Sequence, residues 1–403
     1  MKQTDELMAL VKAAASAAAD FQERFAAEDT EARKIVDIME RFLRVKKRVV
    51  YGGAAINAHL SPANKFYDPR LYLPDYDFMT PDPLQDCADL LVTFQHEGFV
   101  DVEAKFGIHE GTYKIFVNYR SAADITYMPP DIYHRLSKDA AVIEGVHYAS
   151  VDFLRMNMYL ELSRPSGMVS RWEKVYQRLL LLNSEHPMKA GRCPVDPLLG
   201  SKKGGDPVLH DRIVGVGIAR NAIFLSGISY LDDEAPSAAE TVLLVTDKKD
   251  ALVAELIGLG LRATTFEPKG ELLPARTELH TRSGSSLAAV VFETVACHSY
   301  VTLKDPPGYR LGSLDFLIQM YYAFFFSDLQ SYLQGRILCV IEALIEREST
   351  GRKAAAKKGE PQEVFPLECI GHQPSMPELK KAHRLRVKEK RKVIQSRITR
   401  KSK

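Results

Sequence analysis

The chain has 403 residues, which is enough for two or three domains, and its composition of 46% hydrophobic and 26% charged residues argues against a disordered or fibrous protein. The longest strongly apolar stretch, FLIQMYYAFFFS, has 12 residues, whereas a helix that spans a membrane needs about 20, so we expect no membrane contact. The net charge of +2 conceals an uneven distribution, because residues 380–403 hold 12 of the 54 basic residues and only one of the 52 acidic ones.

The first half of the chain predicts a leading helix followed by an α/β domain. Residues 1–30 are rich in alanine and predict an N-terminal helix, and apolar positions recur every three to four residues from Thr30 onward, which predicts a second helix. RVVYGGAAINAHL then indicates a strand, a Gly-Gly turn and a helix, while YLPDYDFMT and SAADITYMP indicate further strands. We therefore predict an α/β domain over residues 31–185.

The rest of the chain predicts a second domain and a tail. Residues 186–207 are rich in Pro, Gly and Lys and predict an interdomain linker. Residues 208–350 predict a second α/β domain that ends in two strongly apolar helices, and residues 351–403 predict a flexible basic tail. The five cysteines include no CxxC pair, which indicates a reducing compartment and no structural zinc.

Two aspartates, Asp75 and Asp77, lie one residue apart on a predicted strand. Alternate residues of a strand point to one face, roughly 6.5–7 Å apart, so the two carboxylates project together and favour a cation between them. Oxygen ligands of this kind favour Mg²⁺ or Mn²⁺. If the later strand that carries Asp124 pairs with the first, three aspartates can hold two metal ions in the arrangement used for phosphoryl transfer.

A Gly-Gly turn is the second element of the pattern. Gly52 and Gly53 lie between a strand and a helix that begins near Ala54, where glycine lets the backbone approach a ligand and free N–H groups attract phosphate. Strand, Gly-Gly, helix, paired aspartates and a third aspartate in this order favour a phosphate-binding site. The alternative is that the paired aspartates are turn residues after Pro74 and that the third is an unrelated loop carboxylate.

The ordered pattern GG…DYD…D resembles the nucleotidyltransferase superfamily of DNA polymerase β and the poly(A) polymerases. VYGGAAINAHL, LPDYDFMTPDP, ADITYMP and SRWEKVYQRLLLL are similar to segments of the poly(A) polymerase catalytic subunits of nucleocytoplasmic large DNA viruses, the mimivirus and African swine fever virus type. The resemblance implies an enzyme of mRNA polyadenylation that adds AMP from ATP to RNA 3′ ends without a template, with two Mg²⁺ or Mn²⁺ ions. It also implies that the protein acts in the cytoplasm of an infected host cell and in the virion. A homodimer is one oligomeric state that the resemblance implies.

The resemblance further implies roles for individual residues. These roles are catalysis and metal binding for Asp75, Asp77 and Asp124, and nucleotide binding for Gly52, Gly53, Ala54, Asn57, Arg171 and Lys174. Many members of the superfamily have Ser or Thr at the position of Ala54, so here backbone amides or Asn57 would contact the triphosphate. Arg171 and Lys174 share one basic stripe of a helix and would meet the β- and γ-phosphates; a solvated helix face is the alternative.

The region after the linker repeats the order of elements in the first domain. Its alignment places Leu243 and Val245 at the positions of Asp75 and Asp77, and Phe292 at the third position, so this copy is predicted to have lost catalysis. The predicted fold is α/β, with two nucleotidyltransferase-like domains of the polymerase β palm type in tandem and mixed sheets packed with helices. A generic α/β domain whose element order matches by chance is the alternative.

The basic end of the chain predicts a contact with RNA, because a cationic segment on an otherwise acidic chain suits a polyanion. The residues predicted to bind RNA are Lys380, Lys381, Arg384, Arg386 and Lys388. A solvated or localisation tail is the alternative. Two rival functions also stay open: a nucleotidyltransferase that makes oligoadenylate or cyclic dinucleotides, and a non-catalytic RNA-binding subunit.

Overall fold

The computed structural model describes residues 2–67, 74, 76–188, 206–226, 241–282, 286–327 and 334–401. The chain divides into two compact units, the first from Met1–Ser150 and Met376–Lys403 and the second from Val151–Ser375. This division differs from the predicted domains 31–185 and 208–350, because helices after Ser150 pack within the second unit and the C-terminal segment packs within the first. Most of the predicted linker, residues 189–205, lies outside the described residues.

The first unit is built on a seven-stranded mixed sheet. Its elements before Ser150 are α1 Lys2–Glu28, α2 Thr30–Lys46, β1 Val49–Tyr51, α3 Gly52–His59, β2 Tyr76–Thr80, α4 Pro83–His96, β3 Val102–Phe106, β4 Thr112–Val117, β5 Arg120–Tyr127, α5 Pro130–Lys138, β6 Ala141–Ile143 and β7 Val146–Tyr148. The strand order is β3-β4-β5-β2-β1-β7-β6. The pairs β2–β5 and β1–β7 are parallel and the others antiparallel.

Helix α2 covers one face of this sheet. It begins after Asp29, whose side chain accepts hydrogen bonds from two backbone N–H groups of the first turn. Its apolar stripe is buried, as the three-to-four spacing predicted, and Phe42 meets Phe78 of β2 with ring centroids 6.0 Å apart. The hydroxyl of Tyr76 donates to Glu40 at 2.7 Å, and burial raises the pKa of this tyrosine. Since strand residues alternate, the side chain of Asp77 points to the other face.

The second unit is built on an eight-stranded sheet. Its elements are α6 Val151–Leu162, α7 Trp172–Glu185, α8 Pro207–Ala219, β8 Ile223–Phe224, β9 Val242–Thr246, α9 Lys249–Gly258, β10 Arg262–Phe266, β11 Arg276–His280, β12 Leu287–Glu293, β13 His298–Thr302, β14 Arg310–Gly312, α10 Leu314–Ser327, α11 Gln334–Lys358 and β15 Cys369–Ile370; α12 Met376–Lys401 then belongs to the first unit. The strand order is β10-β11-β12-β9-β8-β14-β13-β15.

The second sheet repeats the first strand for strand. Seven of its strands have the same order and the same parallel or antiparallel pairings as β3-β4-β5-β2-β1-β7-β6. Two threonines fix the correspondence. The hydroxyl of Thr80 accepts from the N–H of Asp82 at 3.1 Å, and the hydroxyl of Thr246 accepts from the N–H of Lys248 at the same distance.

This correspondence corrects the alignment made from the sequence. With Thr80 matched to Thr246, the paired residues Asp77 and Asp124 correspond to Leu243 and Val290, which are likewise direct partners on parallel strands. The sequence alignment ran two residues too far along each strand. A shift of two keeps every side chain on the same face, so aliphatic residues still stand where the first unit has carboxylates.

The apolar helices of the second unit enclose a charged cluster. Nearly every residue of α10 is buried, among them Asp315, and the guanidinium of Arg352 donates to both oxygens of this carboxylate at 2.7 Å and contacts Glu348. Arg352 anchors α11, which therefore runs on to Lys358. The residues after 350, predicted to be flexible, are helical to that point. No helix within the described ranges is long and apolar enough to span a lipid bilayer.

Glu348 is expected to make the stability of the second unit depend on pH. Burial raises its pKa to about 7, from an ordinary value of 4.5, so the folded unit holds this proton more tightly than the unfolded chain does. The contribution of this proton to the free energy of unfolding is complete below pH 4.5 and is lost as the pH rises through 7. Glu348→Gln should flatten this fall, which we estimate at about 1–3 kcal/mol in unfolding free energy.

Urea unfolding at a series of pH values measures the effect, with Trp172, the one tryptophan of the sequence, as the fluorescent reporter. Glu346→Gln is the matched control, because Glu346 is an exposed acid on the same helix. An unchanged pH slope in Glu348→Gln would show that the fall comes from another group.

Three of the described cysteines, Cys297, Cys339 and Cys369, are disulfide-bonded and so differ from the reduced state that was expected. Cys297 and Cys369 form a disulfide within the second unit, with their Cα atoms 5.2 Å apart, although they lie 72 residues apart in the chain. They come together because β13 pairs with β15. The sequence spacing indicated reduced thiols, since neither cysteine has a second cysteine nearby in the chain.

Candidate active site

Asp77 and Asp124 stand side by side on the open face of the first sheet. They are direct partners on the parallel strands β2 and β5, so their side chains project from neighbouring strands about 4.8 Å apart. Asp75 lies outside the described residues. Among the described residues no three acidic, histidine or cysteine side chains form a metal-binding cluster, and the described part of the chain holds two of the three predicted ligands.

Gly52 lies against the carboxylate of Asp77. A Cβ atom built on this glycine would be 2.6 Å from Asp77 Oδ2, and the residue has a φ of +72°, which is strained for every other L-amino acid. Two independent reasons therefore require glycine here. The β1–α3 turn brings the backbone close to the acidic side chain. Contact of the Gly-Gly turn with a ligand stays a prediction.

The two oxygens of Asp124 have different environments. Oδ2 is in a close ion pair with the ammonium of Lys114 on β4. Oδ1 is buried and, among the described residues, accepts no hydrogen bond. A buried acceptor without a donor is unfavourable, and a bound cation would satisfy it. Two carboxylates on neighbouring strands, one with a buried oxygen that lacks a donor, thus have the chemistry that binds a divalent ion.

The residue before helix α3 does not cap it with a side-chain hydrogen bond. This residue is Tyr51, and the backbone N–H groups at Gly53 and Ala54 are therefore not capped by it. Asn57 has a different role from the predicted one. Its amide accepts from the N–H groups of Phe66 and Tyr67 and donates to the carbonyl of Tyr67, which ties the 61–67 loop to the helix.

Arg171 and Lys174 lie in the second unit. The guanidinium of Arg171 donates to both oxygens of Glu161, at 2.9 and 3.1 Å, and Lys174 is exposed on the first turn of α7. Trp172 donates its indole N–H to the carbonyl of Glu161 and lies next to Phe365, so it anchors the helix. Contact of the two basic residues with a triphosphate stays a prediction.

The basic C-terminal residues form a helix and not a structureless tail. Helix α12 contacts the β3–β4 hairpin through one face: His383 donates to the carbonyl of Gly107 at 2.9 Å, and Arg386 donates to the carbonyl of Ile108 at 2.5 Å. Lys390 lies over the ring of Phe106 at 4.9 Å. Lys380, Lys381, Arg384 and Lys388 are exposed. Of the five residues predicted to bind RNA, Arg386 is thus already engaged by the protein.

Sequence reasoning did not single out Lys114. The alternation in TYKIFV places this residue on one face of a strand, but its neighbour depends on the pairing of β4 with β5. That pairing shifts register between Ile115 and Phe116, which the sequence does not reveal.

Part of the chain is similar to proteins of one known family. Residues 37–168 match the family described as the poly(A) polymerase catalytic subunit. The chain is 32% identical over 163 residues to such a subunit of Acanthamoeba polyphaga mimivirus, which covers 40% of this chain and 27% of that protein. It is 25% identical over 195 residues to that of African swine fever virus (strain Badajoz 1971 Vero-adapted), which covers 47% of this chain and 40% of that protein.

The fold is also that of a solved structure. The crystal structure of the Megavirus polyadenylate synthase matches with a TM-score of 0.76 and 21% identity, over 96% of this chain and 82% of that chain. The matched segments span less than half the length of the two curated relatives. Residues 37–168, which hold the Gly-Gly turn and the paired aspartates, match the model of the poly(A) polymerase catalytic subunit family, and this is the resemblance that the sequence motifs predicted.

Proposed function

We propose that the protein is a poly(A) polymerase, which adds AMP from ATP to the 3′ end of an RNA without a template. The observation that carries the proposal is the direct pairing of Asp77 with Asp124 next to Gly52, where a buried carboxylate oxygen accepts no hydrogen bond from the described residues. The match of residues 37–168 to the model of the poly(A) polymerase catalytic subunit family supports it.

Asp77 and Asp124, together with Asp75, would hold two Mg²⁺ or Mn²⁺ ions. Bound divalent ions make the RNA 3′-hydroxyl a better nucleophile and neutralise charge on the triphosphate. The chain itself orients the reactants. The backbone N–H groups at the start of α3, which Tyr51 does not cap, would bind the phosphates, and Gly52 lets this turn lie close to the carboxylate of Asp77. Arg171 and Lys174 are proposed to add positive charge around the leaving pyrophosphate.

The second unit is proposed to be a duplicated nucleotidyltransferase-like domain that has lost catalysis. What supports this is the repeated strand order and the replacement of the paired carboxylates by Leu243 and Val290. Activity in mRNA polyadenylation, a homodimeric state, and action in the cytoplasm of an infected host cell and in the virion are parts of the same proposal.

The proposed reaction is tested by incubating the protein with an RNA primer, Mg²⁺ or Mn²⁺, and each of the four nucleoside triphosphates in turn, and then analysing the products. Long tails that form on the primer only with ATP are expected. Short 2′–5′ oligomers or cyclic products made without primer would indicate the rival acceptor instead. RNA binding without incorporation of any nucleotide would indicate a non-catalytic subunit.

The exposed lysine and arginine side chains of α12 are expected to bind the RNA backbone. Lys380, Arg384 and Lys388 are spaced four residues apart and so form one stripe, about 12 Å long, which spans roughly two nucleotides. Replacing Lys380, Lys381, Arg384 and Lys388 together with glutamine should lower the slope of log affinity against log salt by about 1.5–2, because a stripe of this length meets roughly two to three phosphates and each contributes about 0.7 in single-stranded RNA.

The measurement is the dissociation constant of an RNA oligonucleotide at several salt concentrations. Arg386→Gln serves as a comparison. Arg386 holds the helix to Ile108, so its replacement should increase hydrogen exchange in α12. An unaltered salt slope in the fourfold variant would exclude α12 as an RNA contact.

A further inference from the structure

Lys114 belongs to one row of side chains that crosses the first sheet. Lys114 is the direct partner of Asp124 on the antiparallel strands β4 and β5, and Asp124 is the direct partner of Asp77 on β2. Partners of this kind point to the same face of a sheet. The ammonium therefore stands on the face that carries the paired aspartates, where it contacts Asp124 Oδ2.

The contact occupies a site that a divalent ion would need. A carboxylate oxygen cannot keep a close lysine ammonium and also coordinate a metal ion without bringing two cations into repulsive proximity. Oδ1 of Asp124 accepts no hydrogen bond within the described structure, whereas Oδ2 accepts one from Lys114. An ion that coordinates Oδ2, or that lies close to it, must therefore displace Lys114.

We propose that Lys114 is a positioning residue that competes with divalent cations for Asp124. It neutralises this carboxylate and holds it in place when no ion is present, and it leaves Oδ2 when an ion binds. The enzyme alone then binds cations weakly, and the negative charge of an arriving triphosphate shifts the balance toward the ions. This inference rests on the proposed function of the same site.

The contribution of this ion pair to folding stability is too small to explain why a lysine stands at position 114. The side chain of Lys114 is 37% exposed and that of Asp124 is 21% exposed, and ion pairs with this degree of exposure contribute little. The chain also offers a matched control. Lys105 on β3 is the direct partner of Lys114 on the side away from Asp124, and it pairs with Glu103.

The proposal is tested by measuring the affinity of the full chain for Mn²⁺ without ATP or RNA. The electron paramagnetic resonance signal of the free ion reports how much Mn²⁺ is bound. Lys114→Met should bind Mn²⁺ about three- to tenfold more tightly than the unaltered protein, because a competing charge next to the site is gone. Lys114→Arg keeps the charge and should stay within about twofold. Lys105→Met, one strand further away, should change the affinity by less than about twofold.

A double variant separates competition from a general effect of charge. In an Asp124→Asn background, Lys114→Met should give no gain in Mn²⁺ affinity, since the shared ligand is absent. Unchanged or weaker binding in Lys114→Met would overturn the proposal. So would an equal gain in Lys105→Met, or a gain that persists without the carboxylate.

The outcome also distinguishes this inference from the proposed function. If the unaltered protein tails RNA and Lys114→Met does not bind Mn²⁺ more tightly, the competition is refuted and the polymerase proposal stands. If the protein neither tails RNA nor binds Mn²⁺ through Asp124, both are refuted. The rise in melting temperature on adding Mn²⁺ gives a second readout, and it should be larger in Lys114→Met.

Discussion

Asp77→Asn is expected to lower the rate of RNA tailing by about a thousandfold or more, while the fold of the first unit is kept. The amide has the shape of the carboxylate but lacks the negative charge that binds a divalent ion and compensates its charge during transfer. Asp124→Asn should have an effect of the same size, because the two side chains are direct partners beside one site.

Single-turnover incorporation of labelled AMP into an RNA primer measures this loss. Asp101→Asn serves as the control, because Asp101 is an exposed acid of the same unit, located just before β3. It should tail RNA at the unaltered rate, and all three variants should melt within a few degrees of the unaltered protein. Tailing by Asp77→Asn at a rate near that of Asp101→Asn would refute the metal assignment.

Gly52→Ala is expected to reduce tailing by about a hundredfold and to lower the unfolding free energy by about 1–3 kcal/mol. The added Cβ would lie 2.6 Å from Asp77 Oδ2, so either the carboxylate or the β1–α3 turn must move. A displacement of about 1 Å at a reacting centre is enough for a loss of this size. The positive φ of +72° adds backbone strain.

Gly98→Ala separates these two causes. Gly98 has a φ of +93°, but a Cβ atom there would meet nothing within 4 Å. This variant should lose stability to a similar degree and keep its tailing rate when assayed below its melting temperature. If Gly98→Ala lost tailing as severely as Gly52→Ala, general destabilisation would explain both results, and the contact between Gly52 and Asp77 would have no catalytic meaning.

The central part of the site could be predicted because short-range rules govern it. Alternation along a strand places Asp77 on the face opposite Tyr76, and the Gly-Gly pair marks a turn where a side chain at Gly52 does not fit. The 47 residues between Asp77 and Asp124 leave room for the crossover that a parallel pair requires. None of these inferences needs knowledge of distant contacts.

The incorrect or missing predictions all depend on contacts that are remote in sequence. Asn57 resembles a free polar residue near a helix start, but its partners come from a loop nine and ten residues later. The segment after residue 350 is polar, yet Arg352 fixes it through a carboxylate 37 residues earlier. Helix α12 is stable against the β3–β4 hairpin, which lies more than 270 residues before it.

The proposed metal site is tested by a crystal structure with Mn²⁺ and a non-hydrolysable ATP analogue, in which anomalous scattering locates the ions. We expect ions about 2.1–2.2 Å from carboxylate oxygens of both Asp77 and Asp124, with the triphosphate at the start of α3. Anomalous density elsewhere, with those two carboxylates contacting no ion while the nucleotide is bound, would contradict this expectation.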